Sequence, residues 1–400
     1  MPSLLDSIQS GAYADARAQA RELVSSDPRA LSQSAVKKWA GMRFRNLFIS
    51  HATSDPAAVS AAVQKKLIGK DSRPDRQKIS ERFLRLDGPP EWQLEMPEAP
   101  APSLSNNVVL FCPGLLTGLL PVMAFQEAFP AVESKFGTRI LQSDSHPMRG
   151  CEDNVADIEN ALMKGIGLDA HAKKIVAGNE KIPGSAMAIC YSKGMPDLLT
   201  ALVRVPELRK KIRCIFNWAG APGGSPLADN IYNSVKDVDI TVPEGLTGVL
   251  QVISPLLRID EKVPRFSEYR VKEAARSLTT TERGAFLDRH LDEIDSWNIP
   301  VFNITGSTTV MEVPYFQMQG VMELNKYDAN NDMQVTQNQA KLRTPMATDL
   351  AMMHGHHWDL SYSPFPPNMR FGAQHLDHPF PKESALVAMI QLALELGLVD

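Results

Sequence analysis

The sequence predicts an α/β protein with a mostly parallel sheet and helices on both faces. Apolar runs of strand length recur at 108–112, 138–142, 186–190 and 212–218. Helix-like stretches such as Asn154 to Met163 and Asp197 to Val203 lie between them. Strands alternating with helices require crossover connections and hence parallel pairing. With 400 residues and 44% hydrophobic content, the chain is long enough for a sizeable core in one domain carrying insertions.

Taken in order, the elements begin with Met1-Pro2-Ser3-Leu4-Leu5-Asp6, which lacks the basic start and apolar core of a secretory signal. Residues 1–80 read as a helical N-terminal extension. Ala14 to Leu23 and Ala57 to Leu67 are rich in Ala, Gln, Arg and Lys, all good helix formers. Phe83-Leu84-Arg85-Leu86 and Trp92-Gln93-Leu94-Glu95-Met96 read as two strands about a Gly88-Pro89-Pro90 turn, and Pro97 to Pro102 as a linker. The α/β core is expected over 81–225 and 298–400.

Residues 226–297 break the alternation. Leu246 to Ile253 is an apolar run between Pro243 and Pro255, a short helix or a buried strand, with Gly248 weighing against the helix. Val271 to Arg283 reads as a helix. A further strand follows at Pro300-Val301-Phe302-Asn303-Ile304-Thr305-Gly306.

Charge excludes more than it suggests. With 42 basic and 46 acidic residues the net charge is -4, which carries no footprint for nucleic acid. Residues 1–90 are nevertheless net +6 and the remainder net -10, so the N-terminal region presents either a docking face or a solvated helical surface. No run of 18 apolar residues predicts a membrane span. Cys112, Cys151, Cys190 and Cys214 are expected to be reduced thiols, three of them in buried strands, in a cytoplasmic protein. No cofactor motif is present.

The chemistry concentrates at Ala188-Ile189-Cys190-Tyr191-Ser192-Lys193-Gly194. A strand precedes it, and a helix with Pro196 in its first turn follows. A serine with small residues, here Cys190 and Gly194, two positions to either side between strand and helix is the layout of a nucleophile elbow, so Ser192 is the candidate nucleophile. Cys190 stands where the first glycine of that motif is usual.

A serine needs a base, and the base an orienting acid. Of the downstream histidines, His290 lies in a polar amphipathic stretch, and His375 and His378 follow a Pro-rich segment. His357, in Met353-His354-Gly355-His356-His357-Trp358, is the candidate base. The rival reading is a metal cluster of His354, His356 and His357, but one strand could not aim all three together. Asp332, in Asn330-Asn331-Asp332-Met333-Gln334-Val335, is the candidate acid, with Asp328 second and Glu312 third. Val108 to Leu116 reads as a strand ending in a Pro113-Gly114 turn. Its Leu115 N–H would pair with that of Lys193 as the oxyanion hole.

From about Val108 onward the chain resembles the α/β-hydrolase superfamily. The resemblance rests on Cys112-Pro113-Gly114-Leu115-Leu116, on Cys190-Tyr191-Ser192-Lys193-Gly194, on Asn331-Asp332-Met333-Gln334-Val335 and on His357-Trp358. It rests also on Ala219-Gly220-Ala221-Pro222-Gly223-Gly224-Ser225-Pro226, which looks like a lipase- or esterase-type loop. Pro113 departs from the usual histidine. The resemblance implies a lipase/esterase-like serine hydrolase without metal or cofactor, and implies that 226–297 is a helical cap over Ser192.

The leading expectation is a hydrolase of carboxylic esters. An acyltransferase would use the same triad, and a catalytically silent fold could serve as a binding protein. The expected partner is a small-molecule ester with an apolar acyl group, and a homo-oligomer is possible.

Overall fold

Val109 and Phe111 face one side of the sheet, and Val108, Leu110 and Cys112 the other, because successive strand residues alternate. Both sets are buried, which explains why these strands read as continuous apolar runs. The protein is seen as a computed structural model that describes residues 3–64, 70–85, 91–115, 117, 120–237, 268–370 and 375–400.

Seven strands form one sheet: β1 (Leu84–Arg85), β2 (Asn107–Cys112), β3 (Ile140–Gln142), β4 (Ser185–Tyr191), β5 (Ile212–Trp218), β6 (Val301–Ser307) and β7 (Ala347–His354). Their spatial order is β1-β7-β6-β5-β4-β2-β3, parallel throughout except for β1. β4 is therefore an interior strand, and its C-terminal end is flanked by the ends of β2 and β5.

One face is covered by α1 (Leu4–Ser10), α2 (Tyr13–Ser26), α3 (Ser34–Thr53), α4 (Pro56–Ala62), α5 (Asp75–Phe83) and α6 (Ala128–Phe136). The opposite face carries α7 (Val155–Lys164) and α8 (Gly194–Arg204). Next in the chain come α9 (Pro226–Val235), α10 (Val271–Arg276) and α11 (Thr280–Ser296), followed by α12 (Met318–Leu324), α13 (Gln337–Ala340), α14 (Pro367–Arg370) and α15 (Lys382–Glu395).

The N-terminal helices are packed into the first face rather than appended to it. Arg43 of α3 makes a bidentate, buried pair with Glu395 of α15 at 2.8 and 2.6 Å, and Lys37 donates to the Ala347 carbonyl of β7 at 2.8 Å. Planar charge-assisted pairing of this kind orients two helices as well as joining them.

Within 226–297, residues 226–237 and 268–297 are described, and Leu246 to Ile253 lies outside the described residues. Phe286 and Ile294 of α11 pack on the α8 side of the sheet. The helix expected over Val271 to Arg283 is interrupted. Thr279 takes an extended backbone, and its hydroxyl accepts the Glu282 N–H as an N-cap, so α10 ends and α11 begins.

Two more departures have local causes. The Gly88-Pro89-Pro90 turn of the expected hairpin lies outside the described residues, and its two flanking segments do not pair with each other among the described ones. Leu84–Arg85 instead pairs with the free edge of β7, and Glu91–Gln93 is a single 3-10 turn. Glu91 is buried and held by Arg45 of α3 at 2.6 and 2.9 Å. Strand β7 is not evident in the sequence because Asp349 interrupts its apolar pattern. That carboxylate accepts from Asn303 of β6 at 2.9 Å and from Lys341 at 2.8 Å. Among the described residues no helix is long and apolar enough to cross a membrane.

Candidate active site

Strand β4 ends at Tyr191 and α8 begins at Gly194, leaving two residues to reverse the chain. Ser192 takes φ 55°, a left-handed value that non-glycine residues adopt only under constraint. Its carbonyl accepts the N–H groups of Met195 and Ala221 at 3.2 and 3.1 Å, tying the elbow to the loop after β5. Gly194 is required: a Cβ there would run into the Cys112 carbonyl. Cys190, at the place of the usual first glycine, is fully buried opposite Cys112 in the β2–β4 register. Burial pushes its thiol well up, so it packs as a small apolar group.

Asp332 sits in a turn built by its own neighbours. Asn331 accepts the Met333 N–H at 3.1 Å, and Asp332 Oδ1 accepts those of Gln334 and Val335 at 3.0 and 2.8 Å. This leaves Oδ2 for His357 Nδ1 at 2.7 Å, with 1% and 4% of the two residues exposed. The His357 N–H also donates to the Asp332 carbonyl at 2.7 Å. A carboxylate acceptor on Nδ1 requires the proton there, which leaves Nε2 as the basic nitrogen.

The other candidates have separate partners. Asp328 accepts backbone N–H groups of Asn330 and Gln337 at 2.9 and 3.1 Å. Glu312 holds His354 at 2.8 Å, and its carboxyl falls to about 2 under that hydrogen bond. His356 bonds the His375 carbonyl at 2.9 Å, His290 pairs with Glu293 at 3.0 Å, and His378 bonds the Ser363 carbonyl at 2.9 Å. His354, His356 and His357 thus engage three different acceptors rather than a common centre.

Ser192, His357 and Leu115 line one cavity of about 340 Å³. Leu227 and Ile231 of α9, with Phe316 and Trp358, add apolar wall, and Gln317 and Gln334 add amides. Among the described residues the Ser192 hydroxyl takes no hydrogen bond, and the Leu115 and Lys193 N–H groups have no acceptor. Contacts of this kind commonly tighten only when substrate is bound. Leu116, the last residue of the strand-ending turn, lies outside the described residues, as do Leu250, Ile253 and Leu256 of the expected cap.

Two features of the elbow are not evident in its motif. The Lys193 side chain is fully buried and meets the Asp197 carboxylate of α8 at 2.6 and 2.8 Å. Asn154 donates to the same carboxylate at 2.9 Å. Tyr191 stacks on His357. The spacing of Lys193 and Asp197, four apart at a helix start, was the available signal for the first; the second is invisible in sequence because its partner is 166 residues away.

No protein-family model matches the sequence, and no curated protein is significantly similar to it. Among solved structures, a metagenomic carboxyl esterase superposes with a TM-score of 0.62 at 22% identity, covering 90% of this chain and 94% of the other. A Bacillus licheniformis lipase in its mature form reaches a TM-score of 0.43 at 18% identity, over 65% of this chain and 88% of its own. The Staphylococcus hyicus lipase reaches 0.42 at 12%, over 66% and 90%. The two lipases are too loosely superposed to add weight. At 22% identity the first likeness bears on architecture alone, and that architecture is the α/β-hydrolase fold.

Proposed function

We propose that this protein hydrolyses carboxylic esters through an acyl-enzyme on Ser192. The observation that carries the proposal is the buried Asp332–His357 contact at 2.7 Å, with His357 and Ser192 lining one cavity. His357 Nε2 takes the Ser192 proton as the hydroxyl oxygen attacks the acyl carbon. The Leu115 and Lys193 N–H groups then receive the negative charge that develops on the carbonyl oxygen. His357 returns the proton to the leaving alcohol, and water repeats the sequence in reverse to free the acid. Asp332 keeps the imidazole in one tautomer and stabilises its protonated form.

The apolar walls supplied by Leu227, Ile231 and Phe316 suit an apolar acyl group. In this reading the segment 226–297 contributes a cap through α9, whose residues line the cavity beside Ser192. The experiment is Ser192→Ala with a p-nitrophenyl ester and a fluorophosphonate probe. Turnover should fall by roughly 10⁴-fold, with labelling abolished and the melting transition retained. A folded Ser192→Ala protein with unchanged turnover would sink the proposal.

A further inference from the structure

We propose that Tyr191 is a positioning residue that holds the elbow, the oxyanion turn and the base in register; this rests on the ester-hydrolase reading above. His357 lies in a turn beyond the end of β7, outside any strand or helix. Its ring stacks on that of Tyr191, with centroids 4.9 Å apart and planes 28° apart. The Tyr191 hydroxyl donates to the His357 carbonyl at 3.0 Å. The residue next to the nucleophile thus grips the base by both side chain and backbone.

The same ring bounds the oxyanion turn. A methyl group on Gly114 would come within 3.0 and 3.1 Å of Tyr191 ring carbons and 2.8 Å of the Ser192 Cβ. Gly114 is therefore bare because the elbow presses against it, and the backbone leading to Leu115 N–H rests on Tyr191. Tyr362 meets the ring edge-on at 5.9 Å, which restricts it further. Burial, with Tyr362 and Asp332 nearby, pushes the phenol well up, so the hydroxyl remains a donor. A rigid aromatic with two side-chain torsions can enforce such a geometry at small entropic cost.

The test compares Tyr191→Phe and Tyr191→Leu with the unaltered protein, reading kcat, KM and the proton NMR signal of the His357 Nδ1–H shared with Asp332. Loss of the Tyr191 hydroxyl's hydrogen bonds, to the His357 carbonyl and with Ser361, in Tyr191→Phe should lower kcat about 2- to 10-fold. Loss of the ring in Tyr191→Leu should lower kcat about 10²-fold, as expected for a misplaced base, with KM within about 2-fold. The Nδ1–H signal should persist in Tyr191→Phe and broaden into solvent exchange in Tyr191→Leu.

A folded Tyr191→Leu protein with unaltered kcat and a sharp signal would overturn the inference. So would a loss confined to KM, which would make the ring a cavity wall only. Should Tyr191→Leu fail to fold, Tyr191→Phe decides, since unchanged kcat and an unmoved signal there also overturn it. Fluorophosphonate labelling of Ser192 in the unaltered protein separates the two levels: its absence refutes the hydrolase reading whatever Tyr191 does.

Discussion

Two histidine–carboxylate pairs lie three residues apart around the end of β7. His357 meets Asp332 at 2.7 Å, and His354 meets Glu312 at 2.8 Å. Their residue chemistry is the same and their surroundings are opposite. The first pair has side chains 5% and 1% exposed, and its histidine lines the cavity that holds Ser192. The second has 17% and 38% exposed, near Arg85 at 3.8 Å, and lines a different cavity with Arg82 and Asp377. A pair becomes useful for proton transfer only where its second nitrogen faces a reacting group and water is excluded. The Lys193–Asp197 pair belongs with the buried set, its side chains 1% and 2% exposed.

The largest effect should come from Asp332→Asn. It keeps the shape of the turn but favours the wrong imidazole tautomer, so kcat on a p-nitrophenyl ester should fall about 10⁴-fold. A comparable loss in Glu312→Gln would break the comparison by showing that the rim pair also serves the chemistry.

A smaller but clear effect is expected for Lys193→Met. It leaves the Asp197 carboxylate buried with neutral partners such as Asn154 and Cys151 but without the ammonium, and breaking such a pair costs about 3–5 kcal/mol of stability. Urea unfolding of the variant measures it. A loss below about 1 kcal/mol would mean that the pair is solvated despite its burial.

The smallest effect belongs to Glu312→Gln. The rim pair is partly exposed, so the substitution should change stability by about 0–1 kcal/mol at neutral pH and turnover by less than about 2-fold. The sign of its pH dependence is definite. The folded-state pKa of Glu312 is lowered from 4.5 to about 2, so its contribution is present above 4.5 and is lost as the pH falls through about 2. Melting temperatures measured between those values should therefore depend less on pH in Glu312→Gln than in the unaltered protein. Equal slopes would show that the His354 contact does not persist in solution.

Much of the fold was legible in the sequence because local signals carry it. The apolar runs at 108–112, 186–190 and 212–218 lie in β2, β4 and β5, since strands buried on both faces need no alternation to be seen. The elbow was legible because a sharp turn between strand and helix restricts residue size, as Gly194 against the Cys112 carbonyl illustrates. Strand β7 was not legible, because Asp349 breaks its pattern and its protein partners, Asn303 and Lys341, come from other segments. Nor was the fate of Leu84–Arg85, which pairs with an edge far along the chain.

By itself the sequence determined the alternation of strands and helices, the turn at Ser192 and the short set of histidines and carboxylates that could serve it. Only the tertiary structure decided which of them meet. It placed Asp332 on His357 and Glu312 on His354, and laid Tyr191 against both Gly114 and His357. The physical reason is range. Turn sterics and hydrophobic periodicity act over a few residues and are written locally. Hydrogen-bond partners, burial and ring stacking depend on segments brought together across 25 to 166 residues of chain, and no local pattern records which of several chemically equivalent side chains will arrive.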